Sequence, residues 1–224
     1  MVRGPPIHLG SVHIGRGLRA VVDDGVLTGP RGQRYDGLLG TALLARYDAL
    51  IDVPNGRIRL YRPGRAGPVP GTGAPIPLVE GAGGLIVFRA VADGPTVGQR
   101  AEVIVILDTG APYTIVNGTA AEALGLASTE PEFVLASRGA GEARVPATQA
   151  VLGGLTLGEA EFGPMDAVVA DLPAFRYLGL ADRPVIMLGT PTLQQCAALV
   201  SRAREEVSFC RIPVPAGGQS QTAP

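Results

Sequence analysis

The chain has no lysine and no tryptophan, and it has only two cysteines and two histidines among its 224 residues. The absence of lysine excludes a P-loop lysine and Schiff-base chemistry. The histidines and cysteines do not have the number and spacing of a structural zinc site. The 19 basic residues are all arginines scattered along the chain, and the net charge is −1. This charge pattern gives no basic surface for nucleic acid, so no nucleic-acid partner is expected.

Long apolar runs are also absent, because the run at residues 103–107 ends at Asp108. No membrane span is therefore expected. The first six residues show no apolar segment of the signal-peptide kind. Aromatic residues make up only 4% of the chain, but hydrophobic residues make up 46%. We expect a sizeable core built from valine, leucine, isoleucine and alanine.

Short apolar runs of four to eight residues recur along the whole chain and predict an all-β fold. The 32 glycines and 20 prolines favour many turns and few long helices. One short helix is predicted at residues 119–124, capped by Asn117 or Thr119 and ended by Gly125. One or two helical turns are predicted at 41–46 and at 190–196. Asn55 and Gly56 predict a hairpin turn.

An internal repeat changes how the domains are interpreted. Residues 39–51 (LGTALLARYDALI) match residues 188–200 (LGTPTLQQCAALV) without a gap. With weaker upstream matches, residues 8–61 repeat residues 151–210, whereas nothing before residue 8 corresponds to 76–150. We therefore expect the C-terminal half of a first lobe at 1–62 and a linker at 63–77. A complete lobe is expected at 78–211, followed by a flexible tail at 212–224.

The residues that carry chemistry lie in the complete copy. The apolar strand at 103–107 leads into Asp108, Thr109 and Gly110, and a second pattern, VIMLGTPTL, follows at 185–193. Together these segments resemble the two signatures of retropepsin-like and pepsin-like aspartic proteases. The resemblance implies a barrel lobe of the acid-protease type, joined here by an incomplete, pseudo-symmetric second lobe.

The resemblance also implies a reaction. Asp108, Thr109 and Gly110 would form the catalytic turn, and a pair of aspartates would activate water to hydrolyse a peptide bond. A polypeptide is the expected substrate, and neither a cofactor nor a metal is expected. Ala111 is expected to contact the substrate. The loop at Arg138, Gly139, Ala140 and Gly141 resembles the flap that covers the substrate, although a plain surface hairpin remains an alternative.

The sequence has only one Asp-Thr-Gly, whereas the family uses two aspartates. The segment Asp23 to Gly25 does not supply the second, because the repeat aligns it with a late part of the lobe. We expect the second aspartate, and any export signal for the periplasm or outside the cell, to lie upstream of Met1. If Met1 is the true start, a homodimer would supply the second aspartate. A non-catalytic module that binds peptides is the alternative from another functional class.

Cys196 and Cys210 form an even pair at the ends of the last hairpin. If the two-residue turn at Asn55 and Gly56 is carried over to the second copy, Cys210 falls opposite Leu199. That register makes a direct disulfide awkward. Free thiols are therefore favoured over a strained disulfide, and both remain open.

Overall fold

The computed structural model describes residues 2–4, 6–14, 17–19, 34–35, 40–67, 71–79, 84–126, 131–138 and 142–210. Their strands are β1 (Val2–Gly4), β2 (Ile7–Leu9), β3 (Val12–Ile14), β4 (Gly17–Arg19), β5 (Asp48–Asp52), β6 (Arg57–Tyr61), β7 (Ile76–Pro77), β8 (Ile86–Asp93), β9 (Arg100–Leu107), β10 (Ile115–Val116), β11 (Phe133–Arg138), β12 (Glu142–Leu152), β13 (Gly154–Leu157), β14 (Ala160–Phe162), β15 (Met165–Val169), β16 (Val185–Leu188), β17 (Ala198–Ser201) and β18 (Glu206–Phe209). The helices are short: α1 (Thr41–Leu44), α2 (Gly118–Ala123), α3 (Pro173–Tyr177), α4 (Thr190–Leu193) and a 3-10 turn (Val53–Asn55).

The largest sheet has nine strands in the order β11-β12-β15-β10-β16-β9-β8-β13-β14. Strand β9 pairs antiparallel with β8 on one side and parallel with β16 on the other. All four residues of β16 and the last five of β9 are buried. A strand covered on both faces reads as a continuous apolar run, which explains why these segments lack alternation. The core therefore surrounds the strand that leads into Asp108.

The prediction of an all-β fold is confirmed, but the expected barrel is not closed. Within the described residues, β11 and β14 are the two edges of the nine-stranded sheet. Strand β14 has only three residues and is followed by Gly163 and Pro164. Proline has no N–H to donate, so this edge does not continue the ladder toward β11. No helix in the described residues is long and apolar enough to cross a membrane.

The second sheet has the order β6-β5-β17-β18-β7 and contains both copies of the repeat. Thr41 begins α1 and Thr190 begins α4, and both helices have four residues, at an offset of 149 (190 − 41). The β5–β6 hairpin pairs Asp52 with Arg57. At the same offset, the β17–β18 hairpin pairs Ser201 with Glu206. The two copies therefore fold alike from the helix through the hairpin.

The two copies also pair with each other. Strands β5 and β17 are antiparallel, and Leu50 lies opposite Leu199, its own counterpart in the repeat. An antiparallel pair of equivalent residues places a local twofold axis between them. The four strands β6, β5, β17 and β18 are therefore arranged symmetrically about this pair.

The hairpin register corrects the expectation for the cysteines. The loop between β5 and β6 has four residues, Val53 to Gly56, because a 3-10 turn precedes Gly56, whose φ is +60°. The second hairpin has the same register, so Cys210 donates its N–H to Ala197 O and lies beside Cys196 rather than opposite Leu199. The two cysteines form a disulfide with a Cα–Cα distance of 5.5 Å. The expectation of free thiols was wrong, because a two-residue turn was assumed.

Parts of the chain that were expected to be connecting segments contribute to the second sheet. Within 63–77, Ala66 is buried and β7 pairs with β18. One of the weaker upstream matches aligns residues 9–15 with residues 152–158, but the strand pairing does not reflect it. Strands β2 and β3 form a tight hairpin, whereas residues 152–157 pass from β12 into β13. Asp23 to Gly25 and the tail at 212–224 lie outside the described residues.

Candidate active site

Asp108 follows the buried strand β9 and opens a tight turn. Its backbone N–H donates to Leu188 O at 3.1 Å, and its own carbonyl accepts from Ala111 N at 3.1 Å. The carboxylate oxygen Oδ1 accepts the N–H of Gly110 at 2.9 Å. This hydrogen bond between the side chain and the backbone two residues further on is typical of aspartate in turns, and it fixes the orientation of the carboxylate.

The second signature holds this turn from the neighbouring strand. After β16, Thr190 donates both its backbone N–H (2.9 Å) and its hydroxyl (2.8 Å) to the carbonyl of Ala111. A Cβ at Gly189 would lie 2.2 Å from Tyr113 O and 2.8 Å from Ala111 O. Only glycine lets the two backbones approach this closely. The two sequence signatures thus meet as one structural unit, in which residues 188–190 clamp residues 108–113.

Two buried threonines tie the same elements together below the turn. Thr114 and Thr192 are almost fully buried, and their hydroxyl oxygens are 3.1 Å apart. Thr192 also donates to the sulfur of Met165 at 3.6 Å. A buried hydroxyl needs a partner, and each threonine supplies one for the other. No local pattern indicates this pair, because the two residues lie 78 positions apart in the chain.

Asn117 fastens the strand β10 to the segment before β16. Its Oδ1 accepts the N–H of Ala120, which caps α2, and the N–H of Val185 at 2.9 Å. Its Nδ2 donates to Arg183 O at 2.8 Å and to Ala181 O at 3.3 Å. The side chain is fully buried and its hydrogen-bonding groups are satisfied. Of the two caps that the sequence predicted, Asn117 is the one that forms, while the hydroxyl of Thr119 bonds Ala181 O.

Comparison with known proteins relates this unit to a family. Residues 95–192 match the model of the aspartyl protease family. The match covers less than half of the 224 residues, so the similarity is that of this segment. A crystal structure of a retropepsin-like aspartic protease from Rickettsia conorii is also similar, at 17% sequence identity and a TM-score of 0.40. The similarity covers 62% of this chain and 89% of that one. No curated protein sequence gives a significant match.

The matched segment contains the three residues predicted to be catalytic. Asp108 is half-buried, whereas Thr109 and Gly110 are exposed. Among the described residues, no hydrogen bond engages Asp108 Oδ2 or the Thr109 hydroxyl. One carboxylate oxygen of Asp108 and the hydroxyl of Thr109 are therefore without a hydrogen-bond partner among the described residues.

The residues predicted to bind substrate are divided between two places. Ala111 is 7% exposed, and Thr190 takes both lone pairs of its carbonyl, so only its methyl group could contact a substrate. Arg138 is the last residue of β11 and lies opposite Glu142 of β12. Gly139, Ala140 and Gly141 lie outside the described residues.

Asp48 is a fully buried carboxylate that lies in the second sheet and not at the Asp108 turn. Burial alone would raise the pKa of Asp48. Hydrogen bonds from Ser201 (2.7 Å) and from the backbone of Ala66 and Gly64, with the charge of Arg204 at 3.7 Å, outweigh it and lower this pKa. Asp48 thus remains ionised while tying β5 to β17 and to the segment after β6. We assign it a structural part.

Proposed function

We propose that this protein is an aspartic endopeptidase in which Asp108 is one of two carboxylates that activate a water molecule. The observation that carries the proposal is the clamped turn at residues 108–111. Its main-chain hydrogen bonds hold Asp108, which is half-buried, at the end of a buried strand, and one carboxylate oxygen accepts the N–H of Gly110. An oriented carboxylate that still reaches solvent is what a general base requires.

The chemistry follows from two such groups sharing one proton. The ionised carboxylate takes a proton from water while the water oxygen attacks the peptide carbonyl. The protonated carboxyl donates its proton to the carbonyl oxygen, which gives a tetrahedral diol. As the diol collapses and the C–N bond breaks, the carboxyl that took the water's proton donates it to the leaving amine. The other carboxylate takes a proton from a hydroxyl of the diol, so the pair again shares one proton. Asp108 and the exposed residues Thr109 and Gly110 would line this reaction from one side.

The repeat supports a location for the second carboxylate. Gly40 corresponds to Gly189, yet a Cβ at Gly40 would meet no atom of the described residues within 4 Å. At Gly189 the same space is filled by the backbone of residues 111–113. We infer that a second Asp-Thr-Gly turn packs on Gly40 as the first packs on Gly189. That turn is not contained in residues 1–224, and the favoured source is an upstream part of the same polypeptide.

A homodimer like that of the retroviral enzymes is the less favoured source. In this chain β17 is already paired with β5, along the whole range Asp48 to Ile51. A second subunit that used β17 symmetrically would have to displace β5 and break the buried contacts of Asp48. One observation supports the alternative of a non-catalytic peptide-binding module, because the sequence has a single Asp-Thr-Gly.

The proposal is tested by comparing residues 1–224 with the polypeptide extended upstream through an apolar strand that ends in Asp-Thr-Gly or Asp-Ser-Gly. The extended form should cleave a denatured protein at mildly acidic pH, and residues 1–224 alone should cleave poorly. In the extended form, Asp108→Asn should lower kcat/KM by about a thousandfold or more, since the amide cannot take a proton from water.

Asp182→Asn is the matched control, because Asp182 is an exposed aspartate in the turn before β16. Both variants should melt close to the parent, which separates loss of chemistry from loss of folding. Near-normal cleavage by Asp108→Asn would assign Asp108 a structural part and remove the protease mechanism. A folded extended form with no cleavage of any substrate would favour the peptide-binding module.

A further inference from the structure

The two ends of the second sheet are covered unequally. At one end, β7 lies antiparallel to β18, with Ile76 opposite Val207 and Pro77 opposite Glu206. Flanking bonds extend this contact, since Leu78 N donates to Glu205 O at 2.7 Å and Gly73 N donates to Phe209 O at 2.8 Å. At the other end, β6 pairs only with β5 among the described residues. The outer edge of β6 therefore carries no further strand within the described ranges.

The local twofold axis identifies the matching positions on the two edges. It relates β18 to β6, so that Val207 corresponds to Ile58 and Phe209 corresponds to Leu60. Val207 is 0% exposed and Phe209 is 1% exposed. Ile58 is 55% exposed, and Leu60 is only half-buried. Equivalent apolar residues are thus buried at the edge that carries a strand and open at the edge that lacks one.

We propose that the outer edge of β6 binds an antiparallel polypeptide strand that places a β-branched apolar residue opposite Ile58. By the same symmetry, the carbonyl groups of Gly56 and Leu60 correspond to those of Glu205 and Phe209, which accept N–H groups from the segment around β7. The bound strand would follow the pattern of residues 72–77, an uncharged segment that ends in Ile-Pro. Main-chain bonds would give affinity and the apolar residue would set the register.

Charge argues against a second copy of β6 as the occupant. Arg57 and Arg59 lie on either side of Ile58, and both are exposed. An antiparallel pair of β6 strands centred on Ile58 would set each Arg57 against the other copy's Arg59. Like charges opposite each other destabilise a strand pair. An uncharged or acidic strand avoids this repulsion, so we commit to a strand of the residue 72–77 type.

This inference deepens the proposed function, because the same upstream segment would bring the second carboxylate. Its test does not depend on cleavage. The probe is a synthetic peptide with the sequence of residues 71–79, GTGAPIPLV, titrated into the ¹⁵N-labelled chain of residues 1–224. Amide shifts should change saturably at residues 56–60, and the Ile58 N–H should become protected from hydrogen exchange.

Ile58→Asp should weaken peptide binding about tenfold or more, the factor that corresponds to about 1.4 kcal/mol. Val97→Asp is the matched control, because Val97 is fully exposed in the turn between β8 and β9 and should leave binding unchanged. A peptide in which aspartate replaces the isoleucine should bind the unmodified chain weakly. Its affinity should match that of the native peptide for the Ile58→Asp variant.

Other outcomes overturn the inference. Shift changes at residues 205–209 would mean that the peptide only displaces β7 from β18. Absence of any saturable change would mean that the β6 edge does not take a strand. A dimer of the free chain that Ile58→Asp dissociates would make a second copy the occupant. None of these results bears on whether the extended polypeptide cleaves its substrate, so the inference and the proposed function can fail separately.

Discussion

Gly189→Ala tests whether the clamp on the Asp108 turn sets the stability of this lobe. The added methyl group would lie 2.2 Å from Tyr113 O, 2.6 Å from Tyr113 C and 2.8 Å from Ala111 O. All three atoms are backbone, so no side chain can rotate away. Either β16 or the turn at 111–113 must move by about an ångström, since carbon and oxygen atoms rarely approach closer than about 3.2 Å.

The cost has two parts. Overpacking in a closely packed site costs about 1–3 kcal/mol. The shift also stretches the two bonds from Thr190 to Ala111 O, and each contributes about 1 kcal/mol. We therefore expect Gly189→Ala to lower the free energy of unfolding by about 3–5 kcal/mol. Because a domain of this size has only about 5–15 kcal/mol of stability, this is a large share of the total.

The chain supplies its own control in the first copy of the repeat. Gly40→Ala changes the equivalent glycine, where the added methyl group meets no atom within 4 Å in the part of the chain that the structure describes. It should be neutral or stabilise by up to about 1 kcal/mol, because alanine restricts the unfolded chain. Urea unfolding of both variants, compared at equal m-values, measures the difference. If the two variants lie within about 0.5 kcal/mol of each other, the contacts at Gly189 do not constrain the turn.

Two further predictions concern the second sheet. Asp48→Asn should cost about 2 kcal/mol at pH 7 through its charge-assisted bonds. The pKa of Asp48 is lowered in the folded state, so the stabilisation from its charge is present above the ordinary pKa of 3.8 and is lost as the pH falls below that value. In urea unfolding, the stabilities of the variant and the parent should therefore converge in acid. Replacing both Cys196 and Cys210 by alanine should cost about 3 kcal/mol, the amount expected for a loop of this length. Reductant should destabilise the parent and leave the double variant unchanged, and equal stability of the two would mean that the disulfide contributes nothing.

Local patterns in the sequence were sufficient for most of the strands and for the helix cap. The run at 185–188 coincides with β16, and the run at 101–107 lies within β9. Both strands are continuous apolar runs because both are covered on each face. The cap at Asn117 followed from a side-chain oxygen placed before a helix of small residues. The repeat predicted the helical turns at Thr41 and Thr190, because the same residues fold alike in the same local setting.

Two kinds of feature were not predicted: local turns whose sequence fits more than one structure, and contacts between residues far apart in the chain. The four-residue hairpin loop depends on the 3-10 turn before Gly56, and the sequence pattern Asn-Gly also fits a two-residue turn. The helix α3 begins at Pro173 with no side-chain cap, so its proline at the first turn was the one signal available. The Thr114–Thr192 pair and the Asp48–Ser201 bond join residues 78 and 153 positions apart. No local pattern can indicate such pairs.

The twofold axis between Leu50 and Leu199 links two observations that are otherwise independent. Ile58 is exposed and Gly40 has no described residue packed on it, whereas their counterparts Val207 and Gly189 are both covered. The covering elements are the turn at 111–113 and the strand β7, which belong to one stretch of chain, residues 76–113, in the complete copy. By symmetry, one body that follows the same path would cover Gly40 and Ile58 together. Neither a bare catalytic loop nor an isolated strand could do so, and a second copy of this chain would have to give up its own β7 and Asp108 turn.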